Sequence, residues 1–260
     1  LLIQGSCTFT DYGVVTMGDG NDYRLLAITQ SGNLVFAEPA NVEVCVVGGG
    51  ANGTAGGPGG AGAYMKNQVV EAFDGGTVVI GTAQGASSIG SVSVNAVSGR
   101  SGGTGGGGFA WNRTGTYSAG TGDGLSKFPF GDDSYTLWVN KPHCGAGAGG
   151  TYGEYSDGDF YYRDGGAGGT NGSNGINNNK ATSTGNVIYG GSYGGGNGGG
   201  YEVYNGSNVA SNATYYGSGG GGGGQFYSSE TIGDGKYSGA SGYQGIVYVR
   251  IPVDQSLLAA

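Results

Sequence analysis

The sequence predicts an all-β protein with almost no α-helix: a jelly-roll-like β sandwich into which a bundle of glycine segments in the polyglycine II conformation is inserted. Three observations predict it. Short runs of alternating apolar and polar residues recur through the N-terminal third and once more at the end of the chain. No stretch repeats its apolar residues at the roughly 3.6-residue helical period. Glycine fills 65 of 260 positions and is gathered into blocks.

Taken in order, the strand candidates are CTFTDYGVVTM, DYRLLAIT, GNLVFAEP and NVEVCVVG, separated by Gly18-Asp19-Gly20, Ser31-Gly32-Asn33 and Pro39. NQVVEAF, GTVVIGTA and SVSVNAV follow the first glycine block, and QGIVYVRIPV closes the chain. Residues 1–98 with 244–253 are expected to form the β unit, and 99–243 the glycine bundle. In the second region glycine blocks (GRSGGTGGGG, GAGAGG, GGAGG, GGSYGGGNGGG, GSGGGGGG) alternate with polar, aromatic-rich intervals such as TYGEYSDGDFYYRD and YEVYNGSNVASNATYY. The blocks read as a scaffold and the intervals as what it displays.

Glycine loses more backbone freedom on ordering than any other residue, and it has no side chain with which to offset the loss. Backbone hydrogen bonds between closely packed segments are the compensation left to it. An extended form with three residues per turn and about 3.1 Å rise points its N–H and C=O groups outward, so several such segments can bond side by side. Collagen is excluded, because there is no sustained G-X-Y period and only Pro129, Pro142 and Pro252 follow residue 99. Disorder fits poorly with a chain that is 11% charged and 11% aromatic.

Ten Lys and Arg against 18 Asp and Glu give a net charge of −8, which argues against nucleic acid and anionic membrane surfaces as partners. No run approaches the roughly 18 apolar residues of a membrane span, so no membrane insertion is expected. LLIQGSCTFTD has no basic n-region or h-region, and a chain opening on Leu1 is expected of a processed product or a piece of a longer polypeptide. Cys7, Cys45 and Cys144 fit neither a disulfide framework nor a zinc site; three buried thiols are expected, with a Cys7–Cys45 bridge the alternative under oxidising conditions.

VEVCVVGGGANG places Gly48, Gly50 and Gly53 in dinucleotide-fingerprint spacing, with Glu71 at the distance of a ribose-binding acid. That chemistry needs a helix to open at the third glycine, and TAGGPGGAGAY cannot start one, so no cofactor is expected. His143 is the only histidine, and beside Cys144 it reads as a loop end rather than a nucleophile's base. Asp132-Asp133 and Asp157/Asp159 lack the calcium-loop pattern and read as solvated turns; no metal site and no catalytic residue is assigned. Sequons at Asn52, Asn112, Asn171, Asn205 and Asn212 follow from composition alone.

The 19 tyrosines are more informative, since most fall after residue 110, between the glycine blocks. Tyrosine offers rigid, amphipathic contact area at low entropic cost, and with Ser, Gly and Asn it makes the mixture that binding loops use. The candidate binding residues are Trp111, Tyr117, Trp138, Tyr155, Tyr161, Tyr162, Tyr204, Tyr215, Tyr216 and Tyr227. About half of the aromatics are expected to cap the edges of the glycine array instead.

The strand-then-triple-glycine signature of VEVCVVGGGANG, the TQSGNLVF strand before it, the glycine blocks and the closing GYQGIVYVRIP resemble the glycine-rich domain of bacteriophage and prophage tail-fibre proteins. The resemblance covers nearly the whole chain. It implies a non-catalytic adhesin of the virion, acting outside the cell at the fibre tip. Its expected partners are a bacterial surface glycan or protein and other tail-fibre subunits, a homotrimer being one arrangement allowed. A substantial N-terminal β region is a departure from the fibre-tip adhesins of T-even-like phages. The glycine-rich extracellular ligand-binding domain of anaplastic lymphoma kinase-like receptors, or a secreted structural protein, has a similar layout and is the alternative; those receptor domains carry more disulfides. Polyglycine antifreeze proteins have shorter, more regular repeats.

Overall fold

In the computed structural model, the described residues are 1–99, 101–103, 106–107, 128–138, 142–150, 152–156, 159–163, 177–178, 200–202, 206–208, 210–228 and 235–253. Among them there is no α-helix, and the one helical turn is a 3-10 turn at Pro129–Gly131. The protein is nearly all β.

The main sheet is built from β1 (Ile3–Gly5), β2 (Phe9–Thr16), β3 (Asp22–Ile28), β4 (Gly32–Val47), β5 (Met65–Val79), β6 (Ser87–Ile89) and β7 (Val92–Val94), joined by a strand from the far end of the chain. A smaller sheet holds β8 (Tyr152–Ser156), β9 (Asp159–Arg163) and β10 (Asn177–Asn178), and a two-stranded ribbon pairs β11 (Gly200–Glu202) with β12 (Gly206–Asn208). Strands β13 (Gln225–Ser228) and β14 (Gly235–Lys236) complete the smaller sheet. The closing strand, β15 (Ile246–Pro252), enters the main sheet between β3 and β4, giving the order β2-β3-β15-β4-β5-β6-β7 with β1 also on β4. Every pairing in it is antiparallel.

Its central strands are buried on both faces, which is why they read as apolar runs with little alternation. Leu26, Ile28, Val44, Val46, Val247 and Val249 face one cluster, closed by Phe36, Phe73, Ile89 and Val92. Their neighbours Leu25, Ala27, Cys45, Val47, Ile246 and Tyr248 face a second, roofed by Ala51, Ala61, Ala63, Trp138 and Cys144. All three cysteines are buried and none is in a disulfide.

Two expected breaks are absent. Pro39 does not end a strand: β4 runs through it, and the pairing with β5 jumps from Val35 to Ala40 across an irregularity. Proline is tolerated there because a bulge has no ladder bond for it to break. Likewise NQVVEAF and GTVV form one strand, β5, in which Ala72, Gly75 and Gly76 all have positive φ.

Beyond the sheet the same chains continue as glycine segments without losing register. The β4–β5 pair Val47–Met65 is followed by backbone bonds from Gly48 to Tyr64, Ala51 to Ala61 and Thr54 to Pro58. The β4–β15 pair Val47–Ile246 is followed by Gly50 to Tyr243, Gly53 to Ala240 and Gly56 to Tyr237. Bonds recur every three residues. Segment 217–224 lies at the centre: the N–H groups of Gly219 and Gly222 donate to Gly145 and Ala148, and those of Gly220 and Gly223 to Ala51 and Thr54. Its carbonyls at 220 and 223 accept from Gly60 and Gly57, and those at 218, 221 and 224 from Tyr243, Ala240 and Tyr237.

Residues three apart therefore meet the same neighbour, and bonds leave one segment in several directions rather than two. Among the described glycines of 48–53, 57–60, 145–150 and 219–224 none has a positive φ, so alanine would suit the backbone conformation. Space forbids it. A Cβ on Gly53, Gly60, Gly147, Gly150, Gly219, Gly220, Gly222 or Gly223 would fall inside 3.0 Å of a neighbouring segment's carbonyl oxygen, closer than real Cβ atoms approach.

Candidate binding surface

The smaller sheet, in the order β10-β9-β8-β13-β14, grows directly out of this glycine array. Segments 143–150 and 217–224 run parallel, with Gly147 against Gly220 and Gly150 against Gly223. Two residues on, that register becomes the parallel pairing of β8 with β13, Tyr152 opposite Gln225 and Tyr155 opposite Ser228. On the other side Tyr237 donates to Gly224, and the same antiparallel step gives Gln225–Lys236 and Phe226–Gly235 between β13 and β14. Chain geometry set where no side chain exists thus fixes the placement of tyrosines beyond it.

Four candidate residues lie on this sheet. Tyr161 pairs with Glu154 and, through it, Tyr227, which makes one cross-strand row; Tyr155 with Phe160 and Ser228 makes another. Tyr162 stands opposite Gly153. Tyr152–Ser156 and Asp159–Arg163 are therefore antiparallel strands and not loop segments, so alternate residues in each share a face. Tyr227 is 44% exposed. Within β8 Tyr152 and Glu154 are buried, and the Tyr152 hydroxyl donates to Glu154 Oε2 at 2.9 Å.

Trp138, expected on the binding surface, is instead fully buried. Its ring packs edge-on against Tyr248 at 5.3 Å and Tyr135 at 4.8 Å, and its indole N–H donates to the Asp132 carbonyl. Burying so large a ring on the sheet, with its one polar atom bonded, makes it a core residue.

Tyr215 and Tyr216 are half-buried around fully buried His143, whose Nε2 lies 2.9 Å from the Tyr248 hydroxyl. The His143 ring is edge-on to Tyr215 at 4.9 Å and stacked with Tyr216 at 6.0 Å, while Tyr216 meets Tyr243 at 5.5 Å. Burial pushes the Tyr215, Tyr216 and Tyr248 hydroxyls above their ordinary range, and neighbouring phenols add to it. Tyr215 and Tyr216 remain partly exposed, whereas Tyr248 is buried beneath them. Trp111, Tyr117 and Tyr204 lie outside the described residues.

Two exposed aromatics missed in the sequence, Tyr12 at 42% and Tyr243 at 37%, belong with this group. Tyr12 lies in the strand-like run CTFTDYGVVTM and Tyr243 in the last glycine block, so neither falls in an aromatic interval.

Among the described residues no group of three or more His, Cys, Asp or Glu side chains is placed to hold a metal ion, and no helix is long and apolar enough to cross a membrane. Cys45 and Cys7 are pushed above the ordinary thiol range, chiefly by burial, which makes them poor nucleophiles. No protein-family model and no curated protein matches the chain.

Proposed function

We propose that the chain is a receptor-recognition module, an adhesin of the kind carried at the tip of a phage or prophage tail fibre, which grips a bacterial surface glycan or protein without catalysis. In this reading the main sheet is the sandwich-like base, and the glycine array is a bundle of polyglycine II segments. The three-residue bond register and ordinary φ values support the bundle, since that conformation has three residues per turn. One observation carries the functional reading. The array hands its register to a second sheet whose strands bear Tyr155, Tyr161, Tyr162 and Tyr227, so the backbone lattice sets the register of four aromatic positions. Preorganisation of that kind reduces the ordering cost of binding.

Binding of the labelled chain to a panel of intact bacteria tests it. A strain should adsorb the wild-type protein, and Tyr227→Ala combined with Tyr161→Ala and Tyr162→Ala should abolish adsorption while leaving the melting temperature within about 2 °C. Undiminished adsorption by the triple variant, or no adsorption by the wild type on any strain, refutes the assignment.

A further inference from the structure

Two clefts flank the turn 128–134 where it lies against the main sheet. One, of about 450 Å³, is lined by Gly18, Asp19, Phe130, Asp132, Ser134 and Arg250 among others. Its neighbour, of about 460 Å³, is lined by Met65, Asn67 and Phe128. Gly131 and Asp133 line both, so Asp133 stands on the ridge between them. Both volumes fall in the range of small-ligand sites, about 300–1,000 Å³.

The walls are fixed. The Asp132 carboxylate accepts from Gly18 N at 2.6 Å, and from the backbone N–H and hydroxyl of Ser134. Asn67 Oδ1 accepts from Phe130 N at 3.3 Å. The Arg250 guanidinium is sandwiched between the Tyr23 and Phe130 rings, 4.4 and 4.6 Å from their centroids, and its Nε donates to Glu43 at 2.8 Å. Phe130 is held at φ 58, a left-handed conformation that a phenylalanine keeps only where its surroundings impose it.

What the walls leave unused defines the ligand. Asp133 is exposed and takes part in none of these bonds, so its carboxylate offers acceptors alone. Asn67 spends its carbonyl oxygen on Phe130 and keeps its amide N–H groups as donors. Phe128 and Met65 add apolar surface to the same cleft. Acceptors from Asp133, donors from Asn67 and an apolar wall match a sugar ring, whose hydroxyls both give and take hydrogen bonds and whose C–H face is apolar. Asp19, Asp132 and Asp133 repel anions, and Arg250 is already engaged by Glu43, with Asp19 Oδ2 a further 4.0 Å away.

We propose that this double cleft binds an uncharged saccharide of one or two rings, with Asp133 accepting from its hydroxyls and Asn67 donating to them. The site stands whether or not the tyrosine surface contacts a receptor. The test is a titration of the isotopically labelled full chain with neutral hexoses, N-acetylhexosamines and their disaccharides, followed by amide chemical shifts. In parallel run a sugar acid and methylammonium. At least one neutral sugar should shift Gly131, Asp133 and Asn67 saturably, the sugar acid at least tenfold more weakly. Asp133→Ala should lower the affinity roughly tenfold or more, as expected for loss of a charged acceptor, without changing the melting temperature. Tyr227→Ala should leave the shifts intact. Three results overturn the proposal: no movement with any neutral sugar, movement with methylammonium alone, or an Asp133→Ala variant that binds like the wild type. Loss of cell adsorption in the tyrosine variants alongside intact sugar shifts separates the two sites.

Discussion

Replacing Gly222 by alanine isolates the requirement that shapes the molecule. Its φ is not positive, so the new residue fits the backbone, and restricting the unfolded chain would by itself stabilise the protein by about 0.4–1 kcal/mol. Against this, the Cβ would fall inside 3.0 Å of the Gly57 carbonyl oxygen and of the Pro58 carbonyl group. Overpacking of a dense interior costs about 1–3 kcal/mol, and here the obstacle is backbone that cannot rotate away. Separating segments 57–63 and 217–224 also stretches the bonds from Gly57 to Gly223 at 2.9 Å and from Gly60 to Gly220 at 2.8 Å, each worth about 1 kcal/mol. The net loss is about 2–4 kcal/mol, a fall in melting temperature of roughly 5–15 °C for a chain of this size. Gly235→Ala is the control, because its nearest atom would be the Tyr237 hydroxyl at 3.7 Å and its φ is also not positive. Calorimetry should find it unchanged or slightly stabilised. Equal melting of the two variants would refute packing of backbone on backbone as the reason for the glycines.

Trp138→Ala should cost about 3–5 kcal/mol by emptying the space against Tyr248 and Tyr135, yet leave adsorption per folded molecule unchanged in a binding assay at low temperature. Acid should also destabilise the fold. Asp11 is held below the carboxylate range first by its bond with Arg24, and Asp19 first by the Asn21 N–H. Burial pushes Asp132 up, but bonds from Ser134 and Gly18 outweigh it and its net shift is downward. A carboxyl whose folded pKa lies below its unfolded value stabilises the fold fully above the unfolded value and loses that contribution as pH falls through the folded one. Melting temperature should therefore be level near neutrality and decline below about pH 4, and a flat profile down to pH 3 would contradict these assignments.

Much of the main sheet was legible because its strands announce themselves through apolar runs bounded by Gly-Asp-Gly and Ser-Gly-Asn turns. Pro39 misled, since proline signals a break in sequence but a bulge absorbs it in space. Tyr155, Tyr161 and Tyr162 looked like loop residues because nothing within TYGEYSDGDFYYRD shows that its first strand is extended from a glycine segment already in register. Trp138 looked displayed for a similar reason, as its burial depends on Tyr248, more than a hundred residues away in sequence. The double cleft is assembled from residues near 18, 67, 131 and 250, and no local pattern joins them.

Unbroken glycine runs such as 219–224 carry no register of their own, since one residue is like the next. The register enters from their ends. Val47, Met65 and Ile246 are locked by side chains in the main sheet, and each three-residue step along 48–54, 57–63 and 237–245 inherits that lock. Segment 217–224 is then positioned by neighbours on all sides rather than by its own sequence, and it passes the order on to β13 and thence to β8 and β14. Adding or removing one residue within it would turn every following N–H toward a different neighbour, whereas a change of three restores the same contacts. The intervals are bound by no such rule.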